Sequence, residues 1–174
     1  MLKKLPALVL HNPEIARTMT ASPCSVRPET VAPGLASTVL RLNETHGRAL
    51  RQRVRDGFPL EVCGLLIGRL DGDDVVVDRL RDARNLNEER AHDRFELAPE
   101  DFLAADREAR DAGLDVVGIW HSHPSHPAIP SVTDLEAAWE GYSYLIIRVD
   151  QEGATDFRSW RLQGDRFQEE KVSL

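Results

Sequence analysis

Gly118-Ile119-Trp120-His121-Ser122-His123-Pro124 leads, after a short irregular stretch, into Pro130-Ser131-Val132-Thr133-Asp134. The apolar residues from Leu114 to Trp120 read as a strand, and residues 121–130 as a proline-rich loop. His121 and His123 stand two apart where that strand ends. In extended backbone such residues share one face, so two imidazoles can converge on one ion. Seven residues separate His123 from Ser131. Ser131 is a suitable N-cap for a helix running to about Glu140, and Asp134 then falls in its first turn. From there a carboxylate can swing back towards the strand end as a third ligand. Two His and one carboxylate, with a fourth position open to water, form a catalytic zinc arrangement rather than a closed structural one. The same residues have plainer readings. Ser131-x-x-Asp134 has capping-box spacing, although Glu or Gln is commoner at its last position. His-x-His alone is an ordinary surface or core pair. The two patterns together favour a metal, and capping is compatible with ligation.

Working outward, Pro99 suits the first position of a helix, with Glu100 and Asp101 complementing its dipole. Phe102, Ala105, Ala109 and Ala112 form its apolar stripe, and Gly113 ends it. Before it lie a polar stretch, Asn85 to Arg94, and a short candidate strand, Phe95-Glu96-Leu97. Val62 to Leu70 is a nearly continuous apolar run, as in a strand buried on both faces. Asp71-Gly72 makes a turn into a second strand beginning at Val75 and extending toward Arg81. Val39, Leu40 and Leu42 suggest a first strand. Asn43 can cap a helix to about Asp56, with Leu50 and Val54 on one face and Gly57 as its stop. Tyr144–Val149, Thr155–Leu162 and Phe167–Val172 read as three further strands. The expectation is an α/β domain: a mixed β-sheet flanked by helices, with an antiparallel C-terminal meander.

At 174 residues the chain is one domain's worth. Pro6, Pro13, Pro23, Pro28 and Pro33 are half of its ten prolines, and no apolar period survives among them. Residues 1–34 are therefore expected to be a mobile arm, and residues 35–174 the domain. The apolar run Leu5 to Leu10 is too short for a secretion signal and is interrupted at once by His11. A net charge of −7 argues against non-specific nucleic-acid binding, which needs cations on phosphates. No apolar run reaches membrane-spanning length, so no membrane association is expected. Cys24 and Cys63 cannot form a disulfide framework, and no Cys-x-x-Cys exists to hold zinc. Histidine and carboxylate remain as the ligand types.

A metal hydrolase also needs a general base. Glu61, at the threshold of the apolar run Val62 to Leu70, is the candidate. A carboxylate entering a core strand is costly unless it is paired or used. Its plainer reading is an exposed strand edge. Cys63 fits small apolar packing better than nucleophilic catalysis. His126 is read as a solvated loop residue, with substrate contact as the alternative. Trp120 is expected to pack behind the site, and Asn85 to Leu97 to border a groove.

Glu61, then His121-Ser122-His123, then Ser131-x-x-Asp134, is similar to the full pattern of the JAMM, or MPN-plus, metallopeptidases. The contexts Pro59-Leu60-Glu61-Val62-Cys63-Gly64-Leu65-Leu66-Ile67-Gly68 and Ile119-Trp120-His121-Ser122-His123-Pro124 resemble its small prokaryotic members. The resemblance covers roughly residues 36–174. It implies a cytidine-deaminase-like JAMM/MPN fold, with Zn2+ held by His121, His123 and Asp134. It further implies Glu61 as proton shuttle to the leaving amine and Ser131 as a stabiliser of the oxyanion. The implied reaction is hydrolysis of a peptide or isopeptide bond at the C-terminal Gly-Gly tail of a ubiquitin-like or sulfur-carrier protein, in the cytoplasm. Oligomeric state is left open. Three alternatives differ in class. A zinc deaminase needs His-x-Glu and Pro-Cys-x-x-Cys, which the chain lacks. A RadC-like relative would usually carry Asn where Ser122 stands, and an extra helical domain. The third is a non-catalytic metal-binding interaction module.

Overall fold

The computed structural model describes residues 38–174, so the arm expected at 1–34 lies outside the described residues. Seven strands and three helices follow one another. They are β1 (Val39–Arg41), α1 (Glu44–Gly57), β2 (Cys63–Asp71), β3 (Asp74–Ala83) and α2 (Pro99–Asp111), then β4 (Asp115–Pro124), α3 (Val132–Ala137), β5 (Ser143–Asp150), β6 (Gly153–Gln163) and β7 (Arg166–Ser173). The sheet is mixed and flanked by helices, as the apolar pattern requires.

Its strand order is β1-β3-β2-β4-β5-β6-β7, and it closes on itself because β1 pairs in parallel with both β3 and β7. The β2–β3 hairpin turns at Gly72, whose φ of 63° is cheap only for glycine. β4 lies antiparallel to β2 and parallel to β5, and β5, β6 and β7 form the antiparallel meander.

Residues 63–68 of β2 are buried and carry no charge because both faces are covered there, while residues 69–71 run out to solvent. Leu66 joins Leu50 and Val54 of α1, with Trp120, Leu145, Ile147 and Val149, in one core. Cys63, Leu65 and Ile67 face the other way, against Phe102, Ala105 and Ala109 of α2. α1 starts where Asn43 accepts from the His46 N–H at 2.8 Å, as its N-cap character predicts.

Three boundaries depart from the sequence reading. β4 does not stop at Trp120. It runs through His121-Ser122-His123 to Pro124 because β5 pairs alongside it, from Gly118↔Ser143 to Pro124↔Val149. α3 ends at Ala137, short of Glu140, where the Tyr144 hydroxyl accepts from the Trp139 N–H at 2.7 Å and holds it outside a helix. Phe95-Glu96-Leu97 is not a strand but makes one isolated bridge, Asn85↔Leu97.

Candidate metal centre and cleft

Since β4 stays extended through Pro124, Ile119, His121 and His123 emerge together on the α2 side of the sheet. Ser125 then turns the chain at a φ of 58°, uncommon for a residue with a Cβ, while its N–H donates to the Val149 carbonyl at 2.7 Å. The loop returns to Ser131, which caps α3 with a complete capping box. The Asp134 N–H donates to Ser131 Oγ at 3.2 Å, and Asp134 Oδ2 accepts from the Ser131 N–H at 2.7 Å and its hydroxyl at 2.6 Å. Asp134 thus caps the helix and faces the histidines at the same time.

Three side chains converge. His121 Nε2 and His123 Nε2 are 3.0 Å apart. Asp134 Oδ1 is 3.4 Å from the first, and Asp134 Oδ2 is 3.7 Å from the second. Ligands about 2.0–2.1 Å from a tetrahedral ion stand roughly 3.3 Å apart, so one ion fits among them. The His123 ring is set for ligation. Its Nδ1 lies 2.8 Å from the Pro127 carbonyl, which places the proton there and leaves the Nε2 lone pair free. His121 Nδ1 has no hydrogen-bond partner among the described residues, and the ring is held instead by stacking on Phe95 at 4.4 Å between centroids.

Burial lowers the His121 imidazole to about 4, against the pull of Asp134, so it is neutral near pH 7. Burial also works on His123, but the Asp134 carboxylate and the Pro127 carbonyl outweigh it and raise the group. Asp134 is partly buried, which works to raise its carboxyl, yet His121, His123 and Ser131 together hold it well below the usual range. The set is two imidazoles and a firmly ionised carboxylate. This donor chemistry suits zinc and other divalent ions.

Glu61 is buried, 6% exposed, just before β2. Its N–H donates to the Ala91 carbonyl at 2.5 Å, and its carbonyl accepts from the Asn85 side-chain amide at 3.1 Å. The next residue is tied to the histidine pair. The Val62 N–H donates to Ser122 Oγ at 3.0 Å, and the Ser122 N–H donates to the Val62 carbonyl at 2.9 Å. Burial raises the Glu61 carboxyl to about 7, with His123 opposing and Asp134 and Asp93 adding. A carboxyl near neutrality can both take and give a proton.

Glu61, His123, Ser131 and Asp134 share a cleft of about 590 Å3. Its walls come from residues 93–97 on one side and from the loop and helix after β4 on the other. The border expected around Asn85 to Leu97 is present, and His126 also lines the cleft, its Nδ1 2.8 Å from the Pro124 carbonyl. Trp120 lies buried on the opposite face of β4. Cys63 is buried, with its thiol pushed up to about 12, in keeping with a packing role. Arg94 lies in that border, and Ile129, Thr133 and Tyr144 line the cleft as well. Spacing gave no signal for them, because a cleft wall needs no fixed residue type.

Residues 43–163 match the family model described as prokaryotic homologs of the JAB domain. The chain is 38% identical over 117 residues to a desampylase of Haloferax volcanii, covering 67% of this chain and 79% of that protein. It is 30% identical over 130 residues to the CysO-cysteine peptidase of Mycobacterium tuberculosis, covering 72% and 84%. A solution structure of a Desulfitobacterium hafniense protein superposes with a TM-score of 0.66 at 32% identity, covering 78% of this chain and 91% of that one.

Proposed function

The chain belongs to the prokaryotic homologues of the JAB domain, and on that premise we propose that it is a zinc metallopeptidase of the JAMM type. It hydrolyses the peptide or isopeptide bond that follows the C-terminal Gly-Gly of a ubiquitin-like or sulfur-carrier protein. The names of its desampylase and CysO-cysteine peptidase relatives support that substrate class. We read the compartment as the cytoplasm. Among the described residues no helix is long and apolar enough to cross a membrane.

The observation that carries the reading is the meeting of His121, His123 and Asp134 with a buried Glu61 beside one cleft. His121 and His123, through Nε2, and Asp134, through its carboxylate, would hold the zinc. Bound there, zinc would bring a water's pKa near neutrality and polarise the scissile carbonyl. Glu61 takes a proton from the attacking water on its carboxylate and returns it to the leaving amine nitrogen. Ser131 turns its hydroxyl from Asp134 to the developing oxyanion, while its main-chain N–H keeps hold of Asp134 Oδ2. Phe95, stacked on His121, shields that imidazole from water. A non-catalytic metal module would have no use for a buried carboxyl beside the metal ligands, so the peptidase reading is preferred.

The test is metal analysis together with cleavage of a carrier bearing an extension after Gly-Gly. Wild type is expected to hold stoichiometric zinc and release the extension, and His123→Ala and Asp134→Ala to lose both. A zinc-loaded wild type that leaves every such carrier intact would contradict the reading.

A further inference from the structure

We propose that Arg94 is the seat for a free α-carboxylate on the leaving side of the scissile bond. The enzyme then prefers a single residue attached to the carrier tail over a lysine-linked protein. This rests on the peptidase reading above.

The cleft is lined by four carboxylates, on Glu61, Asp93, Glu96 and Asp134, and Arg94 is the one lysine or arginine among its lining residues. Asp134 is engaged with the histidines and Ser131. Asp93 is neutralised by the Arg90 guanidinium. Arg94 itself has no ion pair among the described residues, whereas its neighbours Arg84 and Arg90 are both paired. Its main chain is fixed at both ends. Its N–H donates to the Arg90 carbonyl at 2.9 Å, and its carbonyl accepts from the Asn85 amide at 3.1 Å. A half-buried guanidinium on an anchored wall, with no ion pair closed on it among the described residues, offers a planar fork for a carboxylate from the substrate.

The chemistry of the substrate says which carboxylate that is. A Gly-Gly tail has no charged side chain, and its own terminal carboxyl is the scissile carbonyl until cleavage. When a single amino acid is attached through its α-amine, its α-carboxylate sits on the same carbon as the scissile nitrogen. It must enter the cleft beside Glu61, which protonates that nitrogen. A lysine attached through its side-chain amine brings no such charge near the bond. Among the residues that line the cleft, no lysine or arginine other than Arg94 is available to match the α-carboxylate.

Three carriers identical up to Gly-Gly test this: one ending in alanine with a free carboxylate, one in alanine amide, and one joined to a lysine side chain of a peptide. The readout is the ratio of kcat/KM for free acid over amide. Wild type is expected to favour the acid over the amide and the lysine conjugate by about tenfold or more, as suits a charge-assisted pair. Arg94→Gln is expected to bring the acid-to-amide ratio near one, and Arg94→Lys, which keeps charge but not the fork, to hold an intermediate ratio. A wild-type ratio near one, or a ratio that survives in Arg94→Gln, overturns the assignment while leaving the peptidase reading intact. A wild type that cleaves none of the three overturns both.

Discussion

The side-chain amide of Asn85 donates to the main-chain carbonyl of Glu61 at 3.1 Å and to that of Arg94 at 3.1 Å. Its oxygen accepts from the N–H groups of Asn87 and Glu96, both at 2.9 Å. One side chain, with all four of its hydrogen bonds made, ties the proposed proton carrier to the cleft wall. Asn85→Asp keeps the two acceptors but sets a negative charge against two carbonyls. We expect it to lower stability by about 2–3 kcal/mol. Because Glu61 is displaced relative to the metal ligands, kcat should fall more than KM changes. Denaturant melts and steady-state kinetics on the same preparation check this. Unchanged kcat would mean that Glu61 is held well enough by Ala91 and Val62 alone.

Gly64 has no room for a methyl group. A Cβ there would lie 2.2 Å from the Arg81 carbonyl oxygen and 2.4 Å from Trp120 Nε1. The first obstacle is backbone in the neighbouring strand, which cannot step aside. Gly64→Ala is expected to cost about 3 kcal/mol or more, at the upper end for overpacking. At Gly72, where nothing lies within 4 Å of a Cβ, only the positive φ opposes alanine, and the loss should be nearer 1 kcal/mol. Thermal denaturation of the two variants should rank them in that order.

Alkaline stability should depend on Cys63. Burial holds its thiol up to about 12, with Glu61 and Asp101 adding, whereas an unfolded thiol titrates near pH 8.5. Below about pH 8.5 both states keep the proton, and the group's contribution is fully present. Between there and pH 12 the unfolded chain loses the proton first. Stability therefore falls as pH rises, by up to about 1.4 kcal/mol per pH unit from this group. Tyr142 and Tyr144 are raised by burial as well and act in the same direction. Cys63→Ala should flatten the decline without abolishing it, which urea titrations from pH 8 to 10.5 would measure. An identical slope in both proteins would refute the role given to Cys63. At pH 8 the native thiol should also resist alkylation until the chain unfolds.

Much of the site was legible because ligation and secondary structure use the same local geometry. His121 and His123 share a face by strand periodicity alone, and Ser131-x-x-Asp134 announces a helix start whichever role its carboxylate has. Glu61 stands at the threshold of β2, where the sequence pattern by itself favours an exposed edge, whereas the structure buries it. Its main chain is bonded by Asn85 and Ala91, 24 and 30 residues away, and the next residue, Val62, by Ser122. The apolar run in β2 revealed a strand buried on both faces. Closure of the sheet was not legible, because β1 is three residues long and its two partners, β3 and β7, leave no local pattern in it. The sequence pattern ends β4 at Trp120, because His-Ser-His-Pro is a polar, proline-ended run. The parallel pairing with β5 that keeps it extended is a long-range fact. Asn85 was hidden within a polar stretch, where an asparagine that organises four backbone groups looks like any loop residue.

The central claim is that a buried glutamate moves the proton beside a zinc held by two histidines and an aspartate. Glu61→Gln keeps the size of the side chain and removes only its ability to take up a proton. Zinc content and cleavage of a Gly-Gly-extended carrier, measured on the same sample, test the claim most directly. The account predicts zinc equal to wild type with cleavage reduced about 100-fold or more, the range of a lost general acid–base. Cleavage at the wild-type rate by the zinc-loaded variant would contradict it.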